Sequence, residues 1–158
     1  MSKLPRPALP ISGGCPCEAV RFEVNAVPLL VYACHCTDCQ RASGSAFGLQ
    51  MPVVAESFVL TRGKPRPWRR AGVSGVESTS WFCSECGGCV FGQSAERPGI
   101  INVRAGTLDE TWWLRPIAII SLRSAQAWQR IYNNAECFHA IPQDFFSLSE
   151  QWRQMWRW

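Results

Sequence analysis

The chain has 158 residues, of which 47% are hydrophobic and 18% are charged. This composition is typical of a globular protein with one hydrophobic core, and it argues against intrinsic disorder. The formal net charge of +4 is too small to predict a nucleic-acid partner. No apolar run has the length of a signal peptide or a membrane span, so we expect a cytoplasmic protein with no membrane partner.

The first residues are rich in proline and contain no regular apolar pattern. We expect residues 1–12 to form a flexible N-terminal arm. Residues 13–158 are expected to form a single zinc-binding β domain, for the reasons given below.

Four short segments alternate between apolar and polar residues, which is the pattern of half-buried β-strands. Glycine- and proline-containing turns separate them at the spacing of an antiparallel architecture. The sequence therefore predicts a mainly β fold. The four predicted strands are Val20–Val24, Phe47–Met51, Ser57–Thr61 and Ile101–Arg104.

Two segments predict helices. The first covers Asp38–Ser43 and ends at Gly44, which can adopt the left-handed conformation of a helix terminus. The second is an amphipathic C-terminal helix, with Trp152, Met155 and Trp156 at helical spacing and Ser147 or Ser149 as its N-cap. We expect this helix to pack its tryptophans against the sheet.

Cysteine is the most informative residue of the chain. An odd total of nine cysteines, in a protein expected in a reducing compartment, argues against a framework of disulfides. Closely spaced thiols are then best explained as metal ligands. Seven of the nine lie in three clusters: Cys15 and Cys17; Cys34, Cys36 and Cys39; and Cys83 and Cys86.

Two of these clusters predict a closed structural zinc site. Cys83 and Cys86 have the Cys-x-x-Cys spacing of a zinc knuckle, and strand-like alternation would turn Cys15 and Cys17 to one side. Together the two pairs supply the four thiolates of a tetrahedral site. Such a site would contribute directly to folding, because it joins distant segments.

The middle cluster supplies three thiols, Cys34, Cys36 and Cys39, which is the ligand number of a catalytic zinc with one open position. The fourth position could instead be filled by Cys89, Cys137 or His35, which would make a second structural site. We expect Cys89 and Cys137 to be ordinary buried thiols, and the imidazole of His35 to point away from the metal. Thiolates also suit iron, so an iron–sulfur cluster is a further alternative.

The combined pattern resembles the glutathione-dependent formaldehyde-activating enzymes, a family that also contains centromere protein V. The resemblance extends from about Gly13 to Trp128. Where this family commonly has arginine and histidine, the chain has Trp81 and Ile119, and it has an extra cysteine, Cys89. The resemblance is carried by Gly13–Phe22, Cys34–Gly44, Phe82–Gly87 and Ala105–Asp109.

The resemblance implies a Mss4-like, β-tent fold with two zinc ions per chain. It implies a structural zinc at Cys15, Cys17, Cys83 and Cys86 and a catalytic zinc at Cys34, Cys36 and Cys39. The implied activity is that of a carbon–sulfur lyase, which joins glutathione and formaldehyde or separates them. A homo-oligomer is also compatible with the sequence.

Our working hypothesis is that a thiol substrate binds the second zinc as a thiolate and attacks a small aldehyde. Backbone amides of residues 43–45 are candidate donors to the developing oxyanion. The alternative is a zinc-stabilised module without catalysis that binds protein or nucleic acid. Candidate contacts for the carboxylates of the thiol are Arg41, Arg62, Lys64, Arg69 and Arg104.

Overall fold

The computed structural model describes residues 6–130 and 135–156. The first five residues of the expected N-terminal arm and the last two residues of the expected C-terminal helix lie outside this part of the chain. The first strand begins at Ile11, whose buried side chain lies within the segment expected to be an arm. The division into an arm and a single domain stays a prediction.

The strands of the described residues form two sheets, a smaller one of three strands and a larger one of eight. In the smaller sheet the order is β1-β2-β5, and both pairings are antiparallel. The bounds of its strands are β1 Ile11–Gly14, β2 Arg21–Val24 and β5 Phe58–Arg62.

The larger sheet has the strand order β11-β10-β3-β4-β9-β8-β7-β6. Strand β10 runs parallel to both of its neighbours, and the remaining pairs are antiparallel. The bounds are β3 Tyr32–Cys34, β4 Gly48–Val54, β6 Arg66–Ala71, β7 Glu77–Phe82, β8 Cys89–Ser94, β9 Ile100–Arg104, β10 Ala118–Ile120 and β11 Glu136–Cys137.

The mainly β fold expected from the sequence is confirmed, and each of the four predicted strands is present. The largest difference is at β4, which continues beyond the predicted end at Met51 to Val54. Met51, Pro52 and Val53 are consecutive buried residues, so the strand loses its alternation there. Both faces of this strand are covered, and a strand of that kind carries no period-two pattern.

Aromatic side chains join the two sheets. The ring of Phe22 in β2 stacks on Phe58 in β5 with centroids 5.2 Å apart, and Phe58 lies 4.7 Å from Phe91 in β8. Trp81 in β7 continues the series by stacking on Phe91 at 4.8 Å. Buried aromatic contacts of this kind fix the relative position of the sheets, because large rings contribute both area and preferred geometry.

Two helices complete the described part of the fold, α1 at Thr37–Ser43 and α2 at Phe145–Trp156. As expected, α1 ends at Gly44, whose φ of 62° is left-handed. The amphipathic C-terminal helix is also confirmed, but its predicted N-cap is wrong. Asp144 begins the helix, because its carboxylate accepts hydrogen bonds from the backbone N–H groups of Phe146 and Ser147 at 2.9 and 3.2 Å.

The buried face of α2 is formed by Leu148, Trp152 and Trp156, which are four residues apart. Trp152 and Trp156 pack against Trp113, with ring centroids 6.3 and 6.1 Å away. Met155, which the sequence suggested as part of this face, is instead exposed. None of the helices in the described residues has the length and apolarity required to cross a membrane.

Candidate functional site

Four cysteines that are distant in the sequence lie together beside the smaller sheet. The Sγ atoms of Cys15, Cys17, Cys83 and Cys86 are all within 4.8 Å of one another. The Cys15–Cys17 and Cys17–Cys83 sulfur pairs are 3.5 and 3.7 Å apart, and no disulfide joins any of these residues. Tetrahedral zinc with Zn–S bonds of about 2.3 Å separates its sulfurs by about 3.8 Å. The four thiols, which we call the four-cysteine group, therefore fit a metal ion.

Cys15 and Cys17 are presented by a turn, not by strand alternation as the sequence suggested. Strand β1 ends at Gly14, and the turn closes through hydrogen bonds from Cys15 N–H to Val20 and from Glu18 N–H to Cys15. A turn can bring two sulfurs to the same metal more closely than an extended chain can. The predicted pairing of the two thiols is therefore correct, but the backbone that produces it is different.

Cys83 and Cys86 have the knuckle geometry that their spacing predicts. Gly87 N–H donates to the carbonyl of Cys83 at 3.0 Å, and Cys83 N–H donates to Gly88 at 2.9 Å. The tight turn places Gly87 at a φ of 72°, which residues with a Cβ rarely adopt. Glycine at this position lets both thiols of the knuckle face the first pair.

Backbone N–H groups favour the thiolate forms of Cys86 and Cys15 in the four-cysteine group. The Ala19 N–H acts to lower the pKa of Cys17 as well, but the thiols of Cys86 and Cys15 raise it overall to about 12. The pKa of Cys86 is lowered to about 6, first by the backbone N–H of Gly88 and then by that of Cys17. Burial acts to raise the pKa of Cys15, but the Val20 N–H, which donates to its Sγ at 3.3 Å, and the thiols of Cys17 and Cys83 lower it overall. Stabilised thiolates are the form that binds a metal.

The second group consists of Cys34, Cys36 and Cys39, and we call it the three-cysteine group. Their Sγ atoms also lie within 4.8 Å of one another. Cys34 is the last residue of β3, Cys36 is the N-cap of α1, and Cys39 lies in the first turn of that helix. The Cys36 Sγ accepts a hydrogen bond from Cys39 N–H at 3.4 Å. The junction between β3 and α1 thus brings three thiols to one point.

The three thiols of the three-cysteine group differ in pKa, because they are hydrogen-bonded to one another. The pKa of Cys36 is lowered because its sulfur accepts hydrogen bonds from the thiols of Cys34 and Cys39 and from the Cys39 N–H. The hydrogen bond between the Cys34 thiol and the Cys36 sulfur raises the pKa of Cys34. The hydrogen bond between the Cys39 thiol and the Cys34 sulfur raises the pKa of Cys39. One sulfur is therefore stabilised as a thiolate by two thiols. A soft divalent cation would displace the remaining two protons on binding.

Within residues 6–130 and 135–156, no fourth cysteine, histidine or carboxylate joins the three-cysteine group. Cys137, expected to be buried, is exposed on β11. Cys89 is half-buried, and its Sγ accepts a hydrogen bond from Arg104 Nε at 3.4 Å. His35 points away from the group, as expected, and packs on Phe47 at 5.3 Å.

A cavity of about 260 Å³ lies on the open side of the three-cysteine group. All three cysteines line it, together with hydroxyl, amide, carboxylate and guanidinium groups from separate parts of the chain. We call it the thiol cavity. Its polar lining includes Tyr32, Asp38, Ser78, Ser94, Glu96, Arg97, Asn102, Ser121, Arg123 and Ser124, and the loop residues Gly72, Val73, Ser74 and Val76 form one side.

Several contacts suggested by the sequence are not made. The backbone N–H groups of Gly44 and Ser45 both donate to the carbonyl of Gln40, so they are unavailable as oxyanion donors. None of the five proposed basic contacts is among the described residues that line the thiol cavity. The cavity instead contains Arg97 and Arg123, which the sequence analysis missed. Neither arginine lies near a cysteine in the sequence, so no local motif could have identified it.

Gln40 is a further residue that the sequence analysis missed. Its Nε2 donates to the carbonyls of His35 and Ser124, both at 2.7 Å. These bonds connect α1 to the segment after β10, which contributes Ser121, Arg123 and Ser124 to the cavity. Gln40 therefore positions the cavity wall relative to the three-cysteine group.

The part of the chain that contains both cysteine groups matches a known protein family. The model of the family described as "Glutathione-dependent formaldehyde-activating enzyme" matches residues 10–124. The chain belongs to this family. The matched residues contain both cysteine groups, so the family resemblance noted in the sequence is confirmed.

A curated relative is similar to this chain in sequence, and a solved structure is similar to it in fold. A curated Halomonas elongata protein, provisionally named a glutathione-dependent formaldehyde-activating enzyme, is 23% identical over 141 residues, or 85% of this chain and 90% of its own. A crystal structure of a Rhodobacter sphaeroides protein has a TM-score of 0.51 and 22% identity, and it covers 63% of this chain and 88% of its own. This second likeness concerns the fold alone.

The departures from the family pattern lie away from the thiol cavity. Trp81 belongs to the aromatic series between the sheets, and Ile119 is buried in β10. Cys89 lines a different cavity, of about 330 Å³, on another side of Cys39. These three residues are therefore absent from the described wall of the thiol cavity.

Proposed function

We propose that this family member is a zinc-dependent enzyme of the carbon–sulfur lyase type. It joins glutathione or a similar thiol to formaldehyde or another small aldehyde, or catalyses the reverse reaction. In the joining direction the sulfur–carbon bond forms, the carbonyl π bond breaks, and the thiol proton is transferred to the oxygen. No oxidant or reductant is needed. The product is a hydroxyalkyl thioether.

The observation that carries the proposal is the position of the three-cysteine group on a cavity wall. Three thiols that fit one metal face a space of about 260 Å³, and no fourth ligand joins them among the described residues. A metal with three protein ligands and one open position is the arrangement of a catalytic zinc site. The four-cysteine group has its full set of ligands and is proposed as the structural zinc site.

Zinc in the three-cysteine group would lower the pKa of a coordinated thiol, so that its sulfur is held as the nucleophilic thiolate. The chain's own residues bind and orient both substrates. Arg97 and Arg123 line the cavity together with the carboxylates of Asp38 and Glu96, and Asp38 is already paired with Arg70. The two arginines are proposed to bind the two carboxylates of glutathione. The loop of residues 72–76 covers the cavity and limits the access of water.

Hydrogen-bond donors to the aldehyde oxygen come from β3, β9 and the segment after β10. Burial raises the pKa of Tyr32, so its hydroxyl stays protonated and can donate. Asn102 lies 3.5 Å from that hydroxyl, and Ser121 Oγ is 3.9 Å from the sulfur of Cys34. We propose that these polar groups orient the carbonyl and stabilise the negative charge that develops on its oxygen.

The test measures metal content and reaction rate on the same preparation. Elemental analysis should find two zinc ions per chain. NMR exchange spectroscopy on glutathione and formaldehyde should show faster interconversion with their adduct than in buffer. Cys36→Ser should retain one zinc and lose this acceleration. Interconversion rates equal to those of buffer with formaldehyde and with a larger aldehyde such as benzaldehyde, in the wild-type protein with two zinc ions, would refute the proposed activity.

A further inference from the structure

A second cavity lies beside the thiol cavity. Its volume is about 380 Å³, and it is formed by the segment before β3, strands β4 and β9, and the start of α2. We call it the apolar cavity. Its apolar lining consists of Leu29, Leu30, Pro52, Ile100, Phe145 and Phe146.

Four residues, Tyr32, Arg97, Asn102 and Phe145, line both cavities. The partition between the cavities is therefore made of side chains. Tyr32 packs on Phe145 at 5.7 Å, and the guanidinium of Arg97 lies 5.0 Å from the same ring. The Tyr32 hydroxyl donates to Asn102 Oδ1 at 3.5 Å, which is long for a hydrogen bond. Rotation of these side chains would connect the two spaces.

Such a connection would lead from the three-cysteine group to the apolar cavity. Tyr32 precedes Cys34 by two residues on β3, so both side chains point to the same face of the sheet. A group attached to the reacting carbon would reach Tyr32 first and the apolar cavity next. Formaldehyde carries no such group and would leave this cavity unused.

We infer that the aldehyde substrate carries a branched aliphatic or aromatic substituent, and that the apolar cavity binds it. This inference rests on the proposed function, since it assigns the second substrate of the same reaction. The available volume is sufficient, because an apolar protein cavity of about 150 Å³ already holds benzene. The enzyme thus selects a larger aldehyde by burying its substituent between β4, β9 and α2.

The first experiment tests the cavity without the reaction. Benzyl alcohol has the shape of benzaldehyde but does not add thiols, and methanol is the matching probe for formaldehyde. In the zinc-loaded protein, benzyl alcohol should give saturable NMR shifts and intermolecular NOEs to Leu29, Leu30 and Ile100, whereas methanol should not. NOEs to other parts of the protein only, or no saturable shifts, would overturn the inference.

A pair of variants on α2 gives a matched control. Ser149 lines the apolar cavity, whereas Ser147 on the same helix is exposed. Ser149→Phe should fill the cavity and abolish benzyl alcohol binding, and Ser147→Phe should leave it unchanged. Equal binding by both variants would contradict the inference. The wild-type NOEs decide the question independently if Ser149→Phe is misfolded.

The second experiment links the cavity to the reaction. S-Benzylglutathione and S-methylglutathione are stable thioethers that differ only in the group attached to sulfur. Calorimetry should find the benzyl compound bound about tenfold more tightly or better, because burial of each added carbon favours binding. Ser149→Phe should remove this preference. Equal affinities in the wild type would overturn the inference. If neither compound binds, glutathione is not the thiol, and the benzyl alcohol NOEs still decide the role of the cavity.

Discussion

The carboxylate of Asp38 accepts a hydrogen bond from the backbone N–H of Val73 at 2.8 Å. Asp38 lies in α1 between Cys36 and Cys39, whereas Val73 belongs to the loop between β6 and β7 that covers the thiol cavity. Asp38 also forms an ion pair with Arg70, at the end of β6. One carboxylate therefore holds the loop of residues 72–76 against α1, the helix that contains Cys39 and has Cys36 as its N-cap.

Replacing Asp38 should loosen this loop without removing the metal. In Asp38→Ala, hydrogen exchange at the Val73 amide should accelerate roughly tenfold, because a hydrogen bond to a charged acceptor contributes about 1.5 kcal/mol or more. The KM for the thiol should rise while the zinc content stays the same. Asp38→Asn keeps an acceptor for Val73 and should show a smaller effect. Unchanged exchange at Val73 in the alanine variant would contradict the role of this contact.

The two cysteine groups should respond differently to loss of one ligand. Cys83 is buried and connects the β7–β8 knuckle to the β1–β2 turn, so Cys83→Ser should release one metal and lower the Tm by roughly 10 °C or more. In Cys36→Ser the serine can still cap α1, so the Tm should change much less, although one metal is lost. Elemental analysis and thermal unfolding test both variants. A comparable fall in Tm for Cys36→Ser would disprove the division into structural and catalytic sites.

Arginines in the thiol cavity should control thiol affinity. Arg123→Ala should weaken glutathione binding about tenfold, because a charged hydrogen bond to a carboxylate is worth about 1.5 kcal/mol or more. Arg97→Ala should have an effect of similar size. Arg62→Ala is the control, since Arg62 is exposed on β5 in the smaller sheet. Isothermal titration calorimetry on the zinc-loaded proteins measures all three variants. If Arg62→Ala weakens binding as much as Arg123→Ala does, the arginines act only through the overall charge.

Truncation of Trp152 should destabilise the whole protein. Its side chain is fully buried against Trp113 and Trp156, so Trp152→Ala should lower the free energy of unfolding by about 3–5 kcal/mol. Met155→Ala on the exposed face of α2 should change it by about 0.5 kcal/mol or less. Chemical denaturation followed by far-UV circular dichroism measures both. Similar losses for the two variants would show that α2 does not dock through its tryptophan face.

Sequence patterns correctly predicted the elements whose conformation depends on residues that are close to them in the chain. The left-handed Gly44 after α1 and the alternation of β2 are local features, and both were predicted correctly. The N-cap of α2 was not, because serine and aspartate are equally good caps and residues of both kinds, Asp144, Ser147 and Ser149, precede Trp152. The cytoplasmic location and the oligomeric state stay predictions.

The sequence by itself determined which thiols of this protein can share a metal ion, because the candidate ligands of one site come in closely spaced pairs and triplets that are visible in the chain. Only the tertiary structure decided what surrounds them. Arg97, Asn102 and Arg123 come from separate segments, and their arrival beside Cys34 depends on the pairing of β3 with β4 and β10. Such contacts join residues far apart in the sequence, so no local spacing records the shape of either cavity.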